Sequence, residues 1–226
     1  MAAPLILITG TGTDIGKTHF ACALVKAWAA RGLQIAGVKP IETGVPRGAP
    51  SGPDGNKLGR MSTFHVKRFP APYMLARAVS PHLAARADKK TIDPDIVARW
   101  TANIRAEADG VVLELPGGLF TPVTERLTNA DVAKALKPDA TLLLAPDRLG
   151  ALHDVGACIR AARADGIALM GIVLARPAAP DAATGTNATE LASVVDVPVL
   201  ATLPRTSIDE LARTVAPQLL KTLFGI

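Results

Sequence analysis

An apolar run, Leu5-Ile6-Leu7-Ile8, leads directly into Gly10-Thr11-Gly12-Thr13-Asp14-Ile15-Gly16-Lys17-Thr18. The order is that of a buried strand, a glycine-rich turn and a helix start, and it constrains the fold more than any other stretch of the chain. Small residues let backbone N–H groups close around phosphate oxygens, and the helix that follows directs its positive dipole end at them. Lys17 is placed to reach the outer phosphates, and Thr18 offers a hydroxyl to Mg²⁺. A nucleoside triphosphate is the expected ligand. The spacing is one residue longer than the strict G-x-x-x-x-G-K-[ST] pattern, because Gly10 lies six positions before Gly16 and Thr11 sits where that pattern has glycine.

Along the rest of the 226 residues, short buried strands alternate with amphipathic helices. Strands are expected near Leu5–Thr9, Ile35–Pro40, Gly110–Leu115, Thr141–Ala145, Leu169–Leu174 and Pro198–Leu203. Helices are expected near Lys17–Arg31, Asp95–Ala108, Ala130–Leu136, Leu152–Asp165, Ala188–Val195 and Ile208–Thr222, with Asn129 and Ser207 as N-caps. This βαβ order predicts an α/β fold: one doubly wound, mainly parallel sheet with helices on both faces and a ligand crevice at the C-terminal ends of the strands. The length suits one domain, residues 1–226, with an ample core.

Cys22 and Cys158 are the only cysteines, too few for a disulfide framework or a zinc cluster, and both fall in helix-like segments where buried thiols are expected. No apolar run approaches the ~18 residues of a membrane span and the N-terminus carries no basic leader, so a soluble, cytoplasmic protein is expected. The net charge of +5 is concentrated in Arg60, Lys67, Arg68, Arg77, Arg86, Lys89 and Lys90, against Asp88 alone. Neither a recognition-helix pattern nor aromatic residues interleaved with these bases accompanies them. A solvated basic face is therefore expected rather than a nucleic-acid surface.

Informative residues should cluster just after strands. Lys39-Pro40-Ile41-Glu42-Thr43-Gly44 does so: Pro40 stops strand pairing, Gly44 permits a tight turn, and Lys39 and Thr43 are left at the rim of the crevice. The stretch from Gly44 to Gly59 is rich in Gly, Pro and Ser and reads as a mobile loop over the site, with Asp54 as its carboxylate. Glu114 closes the strand Val111-Val112-Leu113, with Gly117 and Gly118 just beyond. Thr18, Asp54 and Glu114 make a coherent oxygen set for one Mg²⁺ that also binds phosphate.

Taken together, these blocks resemble the dethiobiotin synthetases of the biotin pathway over nearly the whole chain. That family has a long-spaced G-x-x-x-x-x-G-K-T loop, as in Gly10–Thr18, a K-P-x-x-[ST]-G turn, as in Lys39–Gly44, and a loop aspartate similar to Asp54. Pro72-Tyr73 and Ser80-Pro81-His82-Leu83-Ala84-Ala85 resemble its P-Y…S-P-H-x-A-A segment, and Glu114–Pro122 its E-G-A-G-G-x-x-[TV]-P loop. Arg148-Leu149-Gly150 and Pro198–Pro204 resemble its last two blocks.

The resemblance implies ATP- and Mg²⁺-dependent closure of a cyclic urea from 7,8-diaminopelargonic acid and CO₂, through a carbamate and its phosphorylated form. It implies Lys17 and Lys39 as catalytic residues. Nucleotide contacts are implied for Thr13, Asp14, Ile15, Gly16, Lys17, Thr18, His19, Glu114, Gly117, Ala175 and Arg176, with base contacts at Leu203, Pro204, Arg205 and Asp209 or Glu210. Substrate contacts are implied for Thr13, Lys39, Thr43 and Gly118, and for Gly150, Ala151 and Leu152 reaching the substrate carboxylate from the partner chain of a homodimer. His19, His65, His82 and His153 are expected to be structural or peripheral rather than general bases, since the substrate supplies its own nucleophile.

The chain departs from the family pattern at three places. The E-G-A-G-G pattern reads Glu114-Leu115-Pro116-Gly117-Gly118, so one glycine is lost and Pro116 removes a backbone donor; Ala175 follows Leu174 where the family commonly has an asparagine that reads the base; and Asp154 brings a carboxylate near the expected substrate carboxylate. A nucleotide-binding paralogue, acting on another amine or as a non-catalytic interaction protein like the partition ATPases, is the alternative. Those ATPases resemble K-G-G-x-G-K-[ST] at the loop, and here Gly12 holds the place of their signature lysine. An amide-forming ligase using glutamine would need a glutaminase domain, for which no room remains after Leu203.

Overall fold

The computed structural model describes residues 2–49 and 51–225. In chain order its strands are β1 (Leu5–Gly10), β2 (Ile35–Val38), β3 (Ile41–Thr43), β4 (Tyr73–Leu75), β5 (Gly110–Glu114), β6 (Ala140–Pro146), β7 (Gly171–Ala175) and β8 (Val199–Leu203). Its α-helices are α1 (Lys17–Ala29), α2 (Pro53–Met61), α3 (Pro81–Ala87), α4 (Pro94–Arg105), α5 (Asn129–Leu136), α6 (Ala151–Ala164), α7 (Asn187–Val194), α8 (Ile208–Thr214) and α9 (Ala216–Phe224).

Six strands form an all-parallel sheet in the order β2-β5-β1-β6-β7-β8. β1 is buried along its whole length, and its side chains divide by the period of two: Leu5 and Leu7 enter the core shared with α4, α5 and α6, while Ile6 and Ile8 enter the core shared with α1, α8 and α9. Trp28 on α1 stacks on Phe224 of α9, ring centroids 5.5 Å apart, and so fixes the last helix to the sheet's second layer. From β1 the chain runs outward to β2, returns to β5 and then crosses to β6. The strand order therefore reverses around β1, and such a switch point leaves a crevice at the strands' C-terminal ends.

Four expectations need correction. The stretch Gly44–Gly59 is not all loop, since Pro53–Met61 forms α2, which buries Leu58. The helix expected over Ile208–Thr222 is two, because Pro217 in the first turn of α9 supplies no N–H to bond back into α8. Thr128, not Asn129, caps α5, through a reciprocal capping box with Asp131, whereas Ser207 caps α8 as expected, accepting from the Glu210 N–H. After Pro40 halts β2, the chain pairs again, Ile41–Thr43 lying parallel to Tyr73–Leu75 in a separate two-stranded sheet that carries Glu42 and Thr43 toward the crevice. Cys22 and Cys158 are both buried and free; burial pushes the Cys22 thiol up to about 12 and the Cys158 thiol up to about 11. No helix among the described residues is long and apolar enough to cross a membrane.

Candidate active site

The glycine-rich loop makes its turn with two residues in left-handed backbone conformation, Asp14 (φ 56°) and Gly16 (φ 93°), the second of them the N-cap of α1. Gly16 offers no side chain, so the first N–H groups of α1 face the loop without a side-chain cap. Lys17, the first residue of that helix, arches back and donates from Nζ to the Gly12 carbonyl at 2.6 Å. It is buried, and burial pulls its ammonium down to about 8 despite the opposing charge of Glu114. A concentrated positive site thus lies within the loop, at the point where phosphate oxygens need counter-charge.

Behind the loop, three segments that follow three different strands meet on one ammonium. Lys39 Nζ donates to Glu114 Oε1 at 2.7 Å and to Asp54 Oδ2 at 2.7 Å, and Thr18 Oγ1 donates to the same Glu114 oxygen at 3.0 Å. Lys39, expected at the crevice rim, is in fact buried, only 8% exposed, between the two carboxylates. Burial alone would lower its pKa, but Glu114 and Asp54 together outweigh it and hold Lys39 above the ordinary lysine value. Desolvation likewise opposes ionisation of Asp54, and Lys39 outweighs it, leaving that carboxyl below its usual value.

This arrangement suits a divalent cation. Thr18, Asp54 and Glu114, the three oxygen ligands read from the sequence, are brought together, and Glu114 Oε2 is a fully buried acceptor with no protein donor. A buried carboxylate oxygen left unpaired is costly unless a cation takes it up. No group of three or more His, Cys, Asp or Glu side chains able to hold a metal occurs among the described residues. Two carboxylates and a hydroxyl are a partial set, of the kind that phosphate oxygens and water complete around Mg²⁺.

The segment after β5 closes this end of the crevice. Gly118 packs so tightly on the nucleotide loop that a Cβ there would lie 3.0 Å from the Gly10 carbonyl oxygen, and the Leu119 N–H donates to that carbonyl at 2.9 Å. Asn129, read from the sequence as a helix cap, instead braces this segment, its Nδ2 donating to the carbonyls of Pro116 at 2.6 Å and Gly118 at 2.9 Å. Pro116 has no backbone donor, yet its carbonyl is fixed from behind. The cleft, of about 850 Å³, is lined by Thr13, Lys17, Thr18, Lys39, Thr43, Asp54, Glu114 and Gly117, among others.

A second cleft, of about 730 Å³, continues from the loop toward the ends of β7 and β8 and shares Thr13, Asp14, Gly16 and His19 with the first. Ile15, Ala175, Arg176, Leu203, Pro204 and Arg205 line it, together with Arg148. None of its lining residues is Asn or Gln. Asp209 and Glu210 do not line it; Asp209 pairs with Lys26 on α1 and Glu210 with Arg213 one helical turn on.

Gly150 (φ 92°) is the N-cap of α6, followed by Ala151 and Leu152, and these three line neither cleft. Asp154, the carboxylate expected to trouble this helix start, is paired with Arg148 at 3.2 Å. The turn is braced by groups that sequence reasoning missed: buried Asp147 accepts from Asn187 Nδ2 at 2.8 Å and the Gly185 N–H at 2.9 Å, and Asp181 accepts from the Leu149 N–H at 2.8 Å. Glu42 was also missed as a working residue. It is buried, and its two oxygens accept from the Asp54 and Gly55 N–H groups at 2.7 and 3.1 Å.

A glycine-rich phosphate loop at the switch point of a parallel sheet, facing a lysine held between two carboxylates, defines a P-loop nucleotide-dependent enzyme of the α/β class. The AAA domain family matches residues 5–210. The ATP-dependent dethiobiotin synthetase BioD of Anaeromyxobacter dehalogenans is 36% identical over 202 residues, 88% of this chain and 89% of that protein, and that of Ralstonia nicotianae 34% over 201 residues, 88% and 87%. Among solved structures, the cell division ATPase MinD of Pyrococcus furiosus superposes with a TM-score of 0.61 at 18% identity, covering 98% of this chain and 100% of that one, a likeness of fold. The chain belongs to the family of ATP-dependent dethiobiotin synthetases, which are ligases.

Proposed function

We propose that the protein closes the ureido ring of dethiobiotin from 7,8-diaminopelargonic acid, CO₂ and ATP. One amine adds to CO₂ to give a carbamate. A carbamate oxygen then takes the γ-phosphoryl group of ATP with release of ADP, and the second amine attacks the activated carbonyl carbon, expelling phosphate. The observation that carries this reading is the meeting of Lys39, Asp54, Glu114 and Thr18 beside Lys17 at the mouth of the phosphate loop. Phosphoryl transfer to a carbamate brings two anions together, and clustered positive charge is what the step requires.

In this reading Thr18, Asp54 and Glu114 hold Mg²⁺, which when bound neutralises charge on the phosphates. Lys39, hydrogen-bonded to both carboxylates beside that site, would stabilise charge on the transferring phosphoryl group. Lys17 holds the outer phosphates from inside the loop. Thr13 and Thr43, on either side of the cleft, bind the diamine and its carbamate, and Gly118 fixes the floor beneath them. The Ala151 N–H is taken by the Arg148 carbonyl at 3.0 Å, so in this reading the N–H groups of Leu152 and His153 receive the substrate carboxylate from the partner of a homodimer. Arg148 neutralises Asp154 there, which removes the like-charge conflict.

Phosphate release from ATP and Mg²⁺ tests the reading. Release that requires both 7,8-diaminopelargonic acid and bicarbonate is expected. Nucleotide binding with no stimulation by that pair overturns the assignment and points to a paralogue with another amine substrate or a regulatory role.

A further inference from the structure

The start of α2 cannot cap itself. Its N-cap residue is Gly52, which has no side chain, and Pro53 at the first helical position has no N–H to offer. The next two amides, of Asp54 and Gly55, belong to the group of helix-start donors that need an outside acceptor. Glu42, twelve residues back on β3, supplies it: Oε1 accepts from the Asp54 N–H at 2.7 Å and Oε2 from the Gly55 N–H at 3.1 Å. The carboxylate also faces the positive end of the helix dipole.

The surroundings are shaped for this contact. A Cβ on Gly52 would lie 2.2 Å from the Glu42 carboxyl carbon, and one on Gly55 would meet the Ser51 hydroxyl at 2.6 Å and Oε2 at 3.1 Å. Gly52 therefore makes room for a side chain from another element, and Gly55 is tight against both it and Ser51. Glu42 is only 4% exposed, so its charge is kept inside the protein for the sake of two amides, one of which is the amide of Asp54 itself.

We infer that Glu42 is a positioning residue, which clamps the first turn of α2 so that the Asp54 carboxylate stays aimed at Lys39 and the metal site. The inference rests on the reading of Asp54 as a ligand to Mg²⁺. Without the clamp, Asp54 is held in place by its pairings with Lys39 and, at 3.6 Å, Lys57. Groups that orient metal ligands from behind typically change metal affinity by about 10–100-fold when removed.

The test uses the full chain as Glu42→Gln, which keeps the volume but provides one acceptor oxygen instead of two, and Gly52→Ala, which displaces the carboxylate without touching it chemically. Amide hydrogen exchange over Pro53–Met61 reads the clamp directly, without turnover. The Mg²⁺ concentration for half-maximal binding of a fluorescent ATP analogue reads its consequence. Both variants should exchange faster in α2 and need about 10-fold more Mg²⁺. Combined with Asp54→Asn, Glu42→Gln should add nothing further to the Mg²⁺ requirement, because it acts through Asp54.

Unchanged exchange in α2 overturns the clamp. Faster exchange with an Mg²⁺ effect that adds to that of Asp54→Asn overturns the positioning role. Asp54→Asn with an unaltered Mg²⁺ requirement overturns the metal reading of Asp54, and this inference with it, while the exchange data still report on the contact.

Discussion

The two ends of the crevice are built on different plans. At the phosphate end, Lys17, Lys39 and Glu114 are buried, and Lys39, Asp54, Glu114 and Thr18 are joined by hydrogen bonds at 2.7–3.0 Å. At the other end, Arg176 and Arg205 are exposed, and the cleft wall is formed by Ala175, Pro177, Ala178, Leu203 and Pro204. A pre-organised cluster acts where charge develops, and its groups need no rearrangement of solvent when the reaction occurs. The base end offers guanidinium donors and apolar surface, with neither Asn nor Gln to pair with one particular base. In the proposed reaction, chemistry is therefore specified by the buried charges of the phosphate end, and the nucleotide base is held by general contacts at the base end.

Replacing Lys39 should break the contrast most strongly. Lys39→Gln is expected to lower turnover by about 10²–10³-fold, the range for loss of one preorganised charge-stabilising donor, while the far-ultraviolet circular dichroism keeps its α/β form. Turnover near wild type would remove Lys39 from the mechanism. An intermediate effect is expected behind the site. Asn129→Ala leaves the Pro116 and Gly118 carbonyls without their buried donor, and should cost about 1–3 kcal/mol of stability in chemical denaturation. Stability within experimental error of wild type would show that the loop after β5 holds itself. The smallest effects belong to the base end. Arg176→Ala and Arg205→Ala should each weaken ATP binding less than about tenfold, under about 1.4 kcal/mol by titration. A larger loss at either position would show that the base end is as specified as the phosphate end.

What the sequence made legible follows the same division between local and distant causes. Every strand of the six-stranded sheet was readable because its apolar run is bounded by Gly, Pro or polar residues within a few positions. Lys39, Asp54 and Glu114 were readable because each is a charged residue standing just beyond a strand or in the loop that faces the strand ends. Helix α2 was not: Gly52-Pro53-Asp54-Gly55 is turn chemistry when taken alone, and Gly55, Asn56 and Gly59 are poor helix formers. Its cap comes from Glu42 on β3, twelve residues away, and Asn129 serves a loop 11 to 13 residues away. The three-residue strands β3 and β4 are too short to carry a period of two.

The central claim, that the phosphate end activates a carbamate for ring closure, is tested most directly by following carbon. The protein is incubated with 7,8-diaminopelargonic acid, ¹³C-bicarbonate, ATP and Mg²⁺, and the products are analysed by mass spectrometry together with released phosphate. The account predicts dethiobiotin carrying the label in its ureido carbon, with one phosphate released for each ring formed. Phosphate release with no labelled ring would contradict it.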